Sequence, residues 1–180
     1  MTDQLEYLDQ EPGSRRWIKV AASGAVVLAL AVLAGIGWVD HSSAATTDDL
    51  ASGYEDAVHE AHAAEGRVQV ALAYVTPAVW RDDLPDTTRD ELWLVVAGQA
   101  DTAADRLSEL RLRVQDTSVL PWRDDQRVAR QALADLIADQ EDRFRTMARD
   151  VQRVDLYLAG GPIPTGAAEQ ALRSIGAPIR

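Results

Sequence analysis

The chain has no cysteine and no asparagine, one lysine (Lys19), one phenylalanine and three histidines among 180 residues. Without Cys there is no disulfide, no thiolate nucleophile and no thiolate metal ligand, so any folded part is held by packing alone. Without Asn there is no N-glycosylation acceptor. Positive charge is scarce as well: 18 Lys and Arg face 29 Asp and Glu, a net charge of -11. Nucleic acid and anionic lipid both demand a positive surface, so this balance argues against either as a partner of the bulk of the chain. The motif inventory is equally bare. There is no G-x-S-x-G elbow, no H-E-x-x-H and no phosphate-cradling glycine loop. Carboxylates abound, but interleaved with Arg on long helical stretches they read as solvated i,i+4 partners. Neither an enzyme nor a bound cofactor is expected. Nearly all basic residues are Arg, and Ala and Asp are frequent, a usage associated with GC-rich bacteria.

What the chain does have is one long apolar run, Trp17–Val39. After Lys19 it carries no charge until Asp40. Trp17 and Trp38 lie roughly 32 Å apart along a helix at ~1.5 Å per residue, close to a bilayer's hydrocarbon thickness. Indole rings favour the headgroup level, so the run reads as a membrane-spanning helix with an anchor at each interface. Arg15, Arg16 and Lys19 crowd its N-terminal flank, whereas the next basic residue is Arg67. By the positive-inside rule the N-terminus is cytoplasmic and the rest of the chain extracytoplasmic, at the plasma membrane. The competing reading is a cleaved leader with Ser43 and Ala45 before the cut. It sits poorly with the length of the run and with Asp3, Glu6, Asp9 and Glu11 ahead of it. Within the run, Gly24, Ala31 and Gly35 offer small residues at spacings that permit close helix approach and a homodimer.

Beyond the run the hydrophobic period is helical throughout. Leu50, Tyr54, Ala57, Ala61, Ala64, Val68, Ala71 and Val75 form a first seam. Trp93, Val96, Ala100, Ala103, Leu107, Leu110 and Val114 form a second. The third is Leu133, Ile137, Gln140, Phe144, Met147, Val151, Val154 and Leu158. Seams of this spacing belong to coiled coils and bundles. Thr46–Asp49 reads as the opening of the first helix, and Thr88 with Glu91 as a capping box on the second. Pro121 reads as a first-turn proline of the third. Pro77 and the Gly160–Pro164 segment read as stops. The expected fold is all-α: a cytoplasmic tail at 1–16, a span at 17–39, a linker at 40–46 and an antiparallel three-helix bundle at 47–158. A Gly/Pro linker and short helix at 159–180 either docks as a fourth helix or stays loose.

Three groups of residues are candidates for chemistry or recognition. Glu55, His59 and His62 fall within roughly 60° of one another at ~100° per residue, so they share one face of the first helix and could ligate zinc or copper. That face lies opposite the seam and lacks a buried shell to orient ligands; a fourth protein ligand must come from elsewhere, and His41 is the only other histidine. The acids Asp82, Asp83, Asp86, Asp90 and Glu91 could attract calcium, but they lack the spacing and glycine of a calcium loop and sit where a helix dipole already favours them. Trp80, Trp93 and Trp122 fall at or near the ends of a bundle. Exposed, they would mark a binding patch; buried, they would plug the bundle ends.

The expected function is that of a single-pass, membrane-anchored helical bundle of the cell envelope, non-enzymatic, with a protein-interaction or structural role and a protein partner or second copy. The alternative is an extracytoplasmic ligand- or metal-sensing domain served by a separate signalling partner, since the residues before Trp17 are too few for an output domain.

Overall fold

The computed structural model describes residues 13–81, 83–161 and 163–179, with backbone alone at 13–30, 33, 34, 36 and 37. Among the described residues there are helices and no strands: α1 (Gly13–Val79), α2 (Asp86–Asp116), α3 (Asp124–Arg149), α4 (Val154–Ala159) and α5 (Gly166–Ser174). A 3-10 turn at Val151–Arg153 joins α3 to α4. The chain divides into two units between Ser42 and Ser43.

The first unit contains the expected span. Its backbone is helical from Gly13 onward. No helix of described residues is long and apolar enough to cross a membrane. Much of Trp17–Val39, like the whole of 1–12, has side chains outside the described residues, including those of Arg15, Arg16, Trp17 and Lys19.

The second unit is a bundle whose register can be read from side-chain pairs. Gln126 of α3 bonds to Ser43 and Thr47 near one end of α1, and Arg143 pairs with Glu65 further along, so α1 and α3 run parallel. Thr46 bonds to the carbonyl of Ser118 while Glu60 pairs with Arg106, so α2 runs antiparallel to α1. Arg111 with Glu141 and Asp105 with Arg145 set α2 antiparallel to α3. Every position of the first seam is buried, as are all of the second but Trp93, and the third from Leu133 to Met147. The first two seams are rich in alanine, which lets helix axes approach closely. Gly53 serves the same end: a Cβ there would stand 3.1 Å from the Val114 side chain.

Four expectations about helix ends are corrected. The 40–46 stretch is helical rather than a linker, and Thr46–Asp49 lie inside α1. Thr47, part of that expected opening, bonds backward instead: its Oγ1 donates to the Ser43 carbonyl at 3.0 Å, as Ser42 Oγ does to that of Val39. Pro77 does not stop α1 before it, because it stands in the last turn, where little of the hydrogen-bond ladder remains to be broken. Thr88 with Glu91 is not a capping box; α2 starts earlier, with Pro85 at the cap and no side-chain cap bond. Pro121 precedes α3 in a turn, Asp124 and Asp125 forming the first helical turn, where acids oppose the dipole.

The third segment also breaks before Leu158. Asp150, a weak helix former at the negative end of α3, takes φ −122 and ψ 61, and the chain turns into α4. The C-terminal helix α5 docks: Ala168 and Leu172 are buried on it, as is Ala177 after it. Its end is locked by Gly176 at φ +78, which sends its own N–H to the Arg173 carbonyl and that of Ala177 to Leu172, both at 3.0 Å. Paired bonds of this kind, with an apolar contact across them, satisfy the last carbonyls of a helix.

Candidate interaction surface and cavity

At the end of the bundle remote from Ser43, α1 finishes and α2 begins. Arg89 holds this junction. Its Nε donates to the Val79 carbonyl at 3.0 Å, Nη2 to the Leu84 carbonyl and Nη1 to Asp86 at 2.8 Å. A cation on the last carbonyls of α1 is favoured by the helix dipole. Arg81 clasps Asp83 with two bonds, at 3.1 and 2.9 Å, and holds that carboxyl below its usual range. Beside this junction lies an open groove of about 580 Å³, walled by Trp80, Arg81, Arg89 and Trp93 on one side and Val151 and Asp155 on the other. Trp80 is 78% exposed, whereas Trp93 is half-buried against the core. The fold therefore brings two of the three tryptophans together. Trp122, 61% exposed, stands alone at the opposite end, next to Arg123, which bonds to Ser43.

A second, smaller cavity of about 330 Å³ lies between α1, α3 and the segment 163–165 leading into α5. Its polar rim is a set of paired charges. Arg143 Nη1 pairs with Glu65 and its Nη2 donates to the Tyr157 carbonyl at 2.8 Å. The Tyr54 hydroxyl donates to Glu169 Oε1 at 2.8 Å, Thr165 donates to the same oxygen, and Arg173 reaches the other at 3.2 Å. Burial foremost, with Glu169 adding to it, raises the Tyr54 phenol above its ordinary value. The Thr165 hydroxyl, then that of Tyr54, holds Glu169 below the usual carboxylate range. Gln140 on its wall is 6% exposed, and its buried Oε1, like that of Gln126, accepts no hydrogen bond.

The other candidate residues stay apart from these features. Glu55 and His59 are exposed on α1, while His62 of the same face reaches the rim of the smaller cavity. Among the described residues no group of three or more His, Asp or Glu is placed to hold a metal ion. Of the acidic cluster, Asp83 and Asp86 pair with arginines and Asp82 lies outside the described residues. Ala31, Gly35 and Trp38 are exposed, and the side of Gly24 lies outside the described residues.

Two features went unread in the sequence. Gln126 is fully buried and its Nε2 donates to the Ser43 carbonyl at 2.9 Å, and to the Ser43 and Thr47 hydroxyls. Its position carried a signal, since it continues the third seam through Ala129 to Leu133. The Tyr54–Glu169 bond joins residues 115 apart in sequence and had no local signal. No protein-family model, curated protein or solved structure matches this chain.

Proposed function

We propose that the chain is a single-pass, membrane-anchored helical-bundle protein of the cell envelope, with its N-terminus cytoplasmic and its bundle extracytoplasmic, and that the bundle binds another protein rather than catalysing a reaction. The anchor rests on the uncharged run, the two tryptophans and the basic N-terminal flank. The binding role is carried by one observation, the Trp80 indole standing in water beside Trp93 in a groove edged by Arg81 and Arg89. A ring of that size left exposed next to a concave surface is the usual anchor of a protein interface, and Trp and Arg dominate binding energies there.

Site-specific photo-crosslinking of the full chain in living cells tests this. A photoreactive residue at position 80 should give a discrete adduct that weakens in a Trp93→Ala background. No more adduct from position 80 than from Leu112, which is also exposed, would remove the reading. Single cysteines at Ser14 and Ser52 test the topology: only the one at Ser52 should react with a membrane-impermeant reagent on intact cells. The second reading, ligand sensing with a separate signalling partner, draws its support from the cavity around Gln140.

A further inference from the structure

The groove at the junction of α1 and α2 is unbalanced in charge. Arg81 and Arg89 edge it, and each is matched by a carboxylate of its own, Asp83 and Asp86. All three guanidinium nitrogens of Arg89 are engaged, two of them by the Val79 and Leu84 carbonyls. The facing wall holds Asp155, exposed in the first turn of α4. Among the described residues it pairs with no cation; Arg153, the nearest arginine in sequence, turns to Asp150 at 3.8 Å. The one unmatched charge on the groove is therefore negative. The second unit as a whole has the same sign, with 24 Asp and Glu against 15 Arg between Ser43 and Arg180, a net of -9. Such a field draws basic partners toward it.

We infer that the groove receives an arginine side chain, presented from an apolar stretch of the partner protein and held between the Trp80 indole and the Asp155 carboxylate. This rests on the groove being a protein interface, and it names the chemistry of what enters. The face of an indole is negative and is the best side-chain partner of a cation, and Trp80 is 78% exposed. A planar guanidinium both stacks on such a ring and pairs with a carboxylate in a fork, which a lysine ammonium does not. Leu72, Val79, Trp93 and Val151 give apolar surface for the residues on either side of the arginine. At about 580 Å³ the groove falls within the ~300–1,000 Å³ that hold a drug-sized ligand, which suits a segment of about three residues.

The probe is acetyl-Val-Arg-Val-amide on the full chain in nanodiscs. Its controls are the same peptide with citrulline, which keeps the shape without the charge, and with glutamate. Binding is read from the indole N–H resonances of isotope-labelled tryptophan, those of Trp80 and Trp93 being identified by single substitution. The arginyl peptide should move both and bind roughly fivefold more tightly than the citrulline peptide, as an exposed cation–π contact and an exposed ion pair together supply. The glutamyl peptide should be weaker still. Asp155→Asn should lower the fivefold ratio by a factor of about two to three and leave binding of the citrulline peptide unchanged. Trp80→Leu, which keeps an apolar side chain, should lower it by a similar factor. In cells, Asp155→Arg should weaken the crosslinked adduct formed from position 80, because it sets a like charge against the partner's cation. Equal binding of the three peptides, tightest binding of the glutamyl one, no binding of any, or an adduct untouched by Asp155→Arg would each overturn the inference, while a discrete adduct from position 80 would leave the interface standing. Absence of that adduct in the parent chain would remove both.

Discussion

Phe144→Ala is the sharpest probe of how the bundle is held. Phe144 is the only phenylalanine in the chain and is 1% exposed, on α3 facing the alanine-rich seam of α1. Removing the ring forfeits its transfer from water and leaves a void, together costing ~3–5 kcal/mol for a fully buried phenylalanine. The smaller cavity borders this ring, so the new void opens into existing space and can take up water, which places the expected cost near ~3 kcal/mol. Against the ~5–15 kcal/mol of a whole domain that is a large fraction. At roughly 2–4 °C per kcal/mol for a unit of this size, the midpoint should fall by roughly 6–12 °C. Thermal and urea melts followed by far-UV circular dichroism measure it directly. His59→Ala, on the exposed face of α1, is the control and should cost under ~0.5 kcal/mol. The reasoning is refuted if Phe144→Ala melts with the parent, or if His59→Ala falls as far.

Stability should form a plateau in pH with a separate cause at each edge. Glu169 and Asp125 are held below the ordinary carboxylate range by the Thr165 hydroxyl and by Arg123 respectively, so their contribution is present above about pH 4 and is lost as pH falls through their folded values. Tyr54 is raised, so its contribution is present below about pH 10 and lost as pH rises through its folded value; Tyr54→Phe should flatten that alkaline edge in a series of melts. Gly66→Ala and Gly98→Ala place a methyl in open space on a helix and should each stabilise by ~0.5–1 kcal/mol. Gly53→Ala should yield no such gain, because the new methyl crowds Val114, and a melt in which all three rise alike would contradict the packing described.

The seams were legible because a 3.6-residue period is the direct imprint of one buried face, and it needed no knowledge of the partner helix. Leu50 to Val75 could be listed from spacing alone, and all of those positions are buried. The 40–46 stretch was misread for a physical reason. Ser and Thr serve equally to cap a helix and to bond backward within one, and the bonds that Ser43 accepts from Gln126 and Arg123 come from about 80 residues away. The break at Asp150 and the docking of α5 depend on contacts of the same long range. The tryptophans were placed at bundle ends by periodicity, but their exposure was set by the chain's path: Trp80 follows the last turn of α1, while Trp93 occupies the edge of a seam. The smaller cavity was invisible, since its walls come from α1, α3 and the approach to α5; only Gln140, a polar residue at an apolar step, hinted at it.

The alanine seam of α1 and α2 has a consequence for how this fold tolerates change over generations. At Ala57, Ala64, Ala100, Ala103 and Ala104, all without exposure, almost every substitution adds volume where two backbones already meet. At Leu133, Ile137, Phe144 and Met147 of α3, most substitutions remove it. Neutral drift is thereby directional, closed to growth on two helices and to shrinkage on the third. A lineage could escape this ratchet only by paired exchanges, a larger residue on α1 or α2 accepted together with a smaller one opposite it on α3.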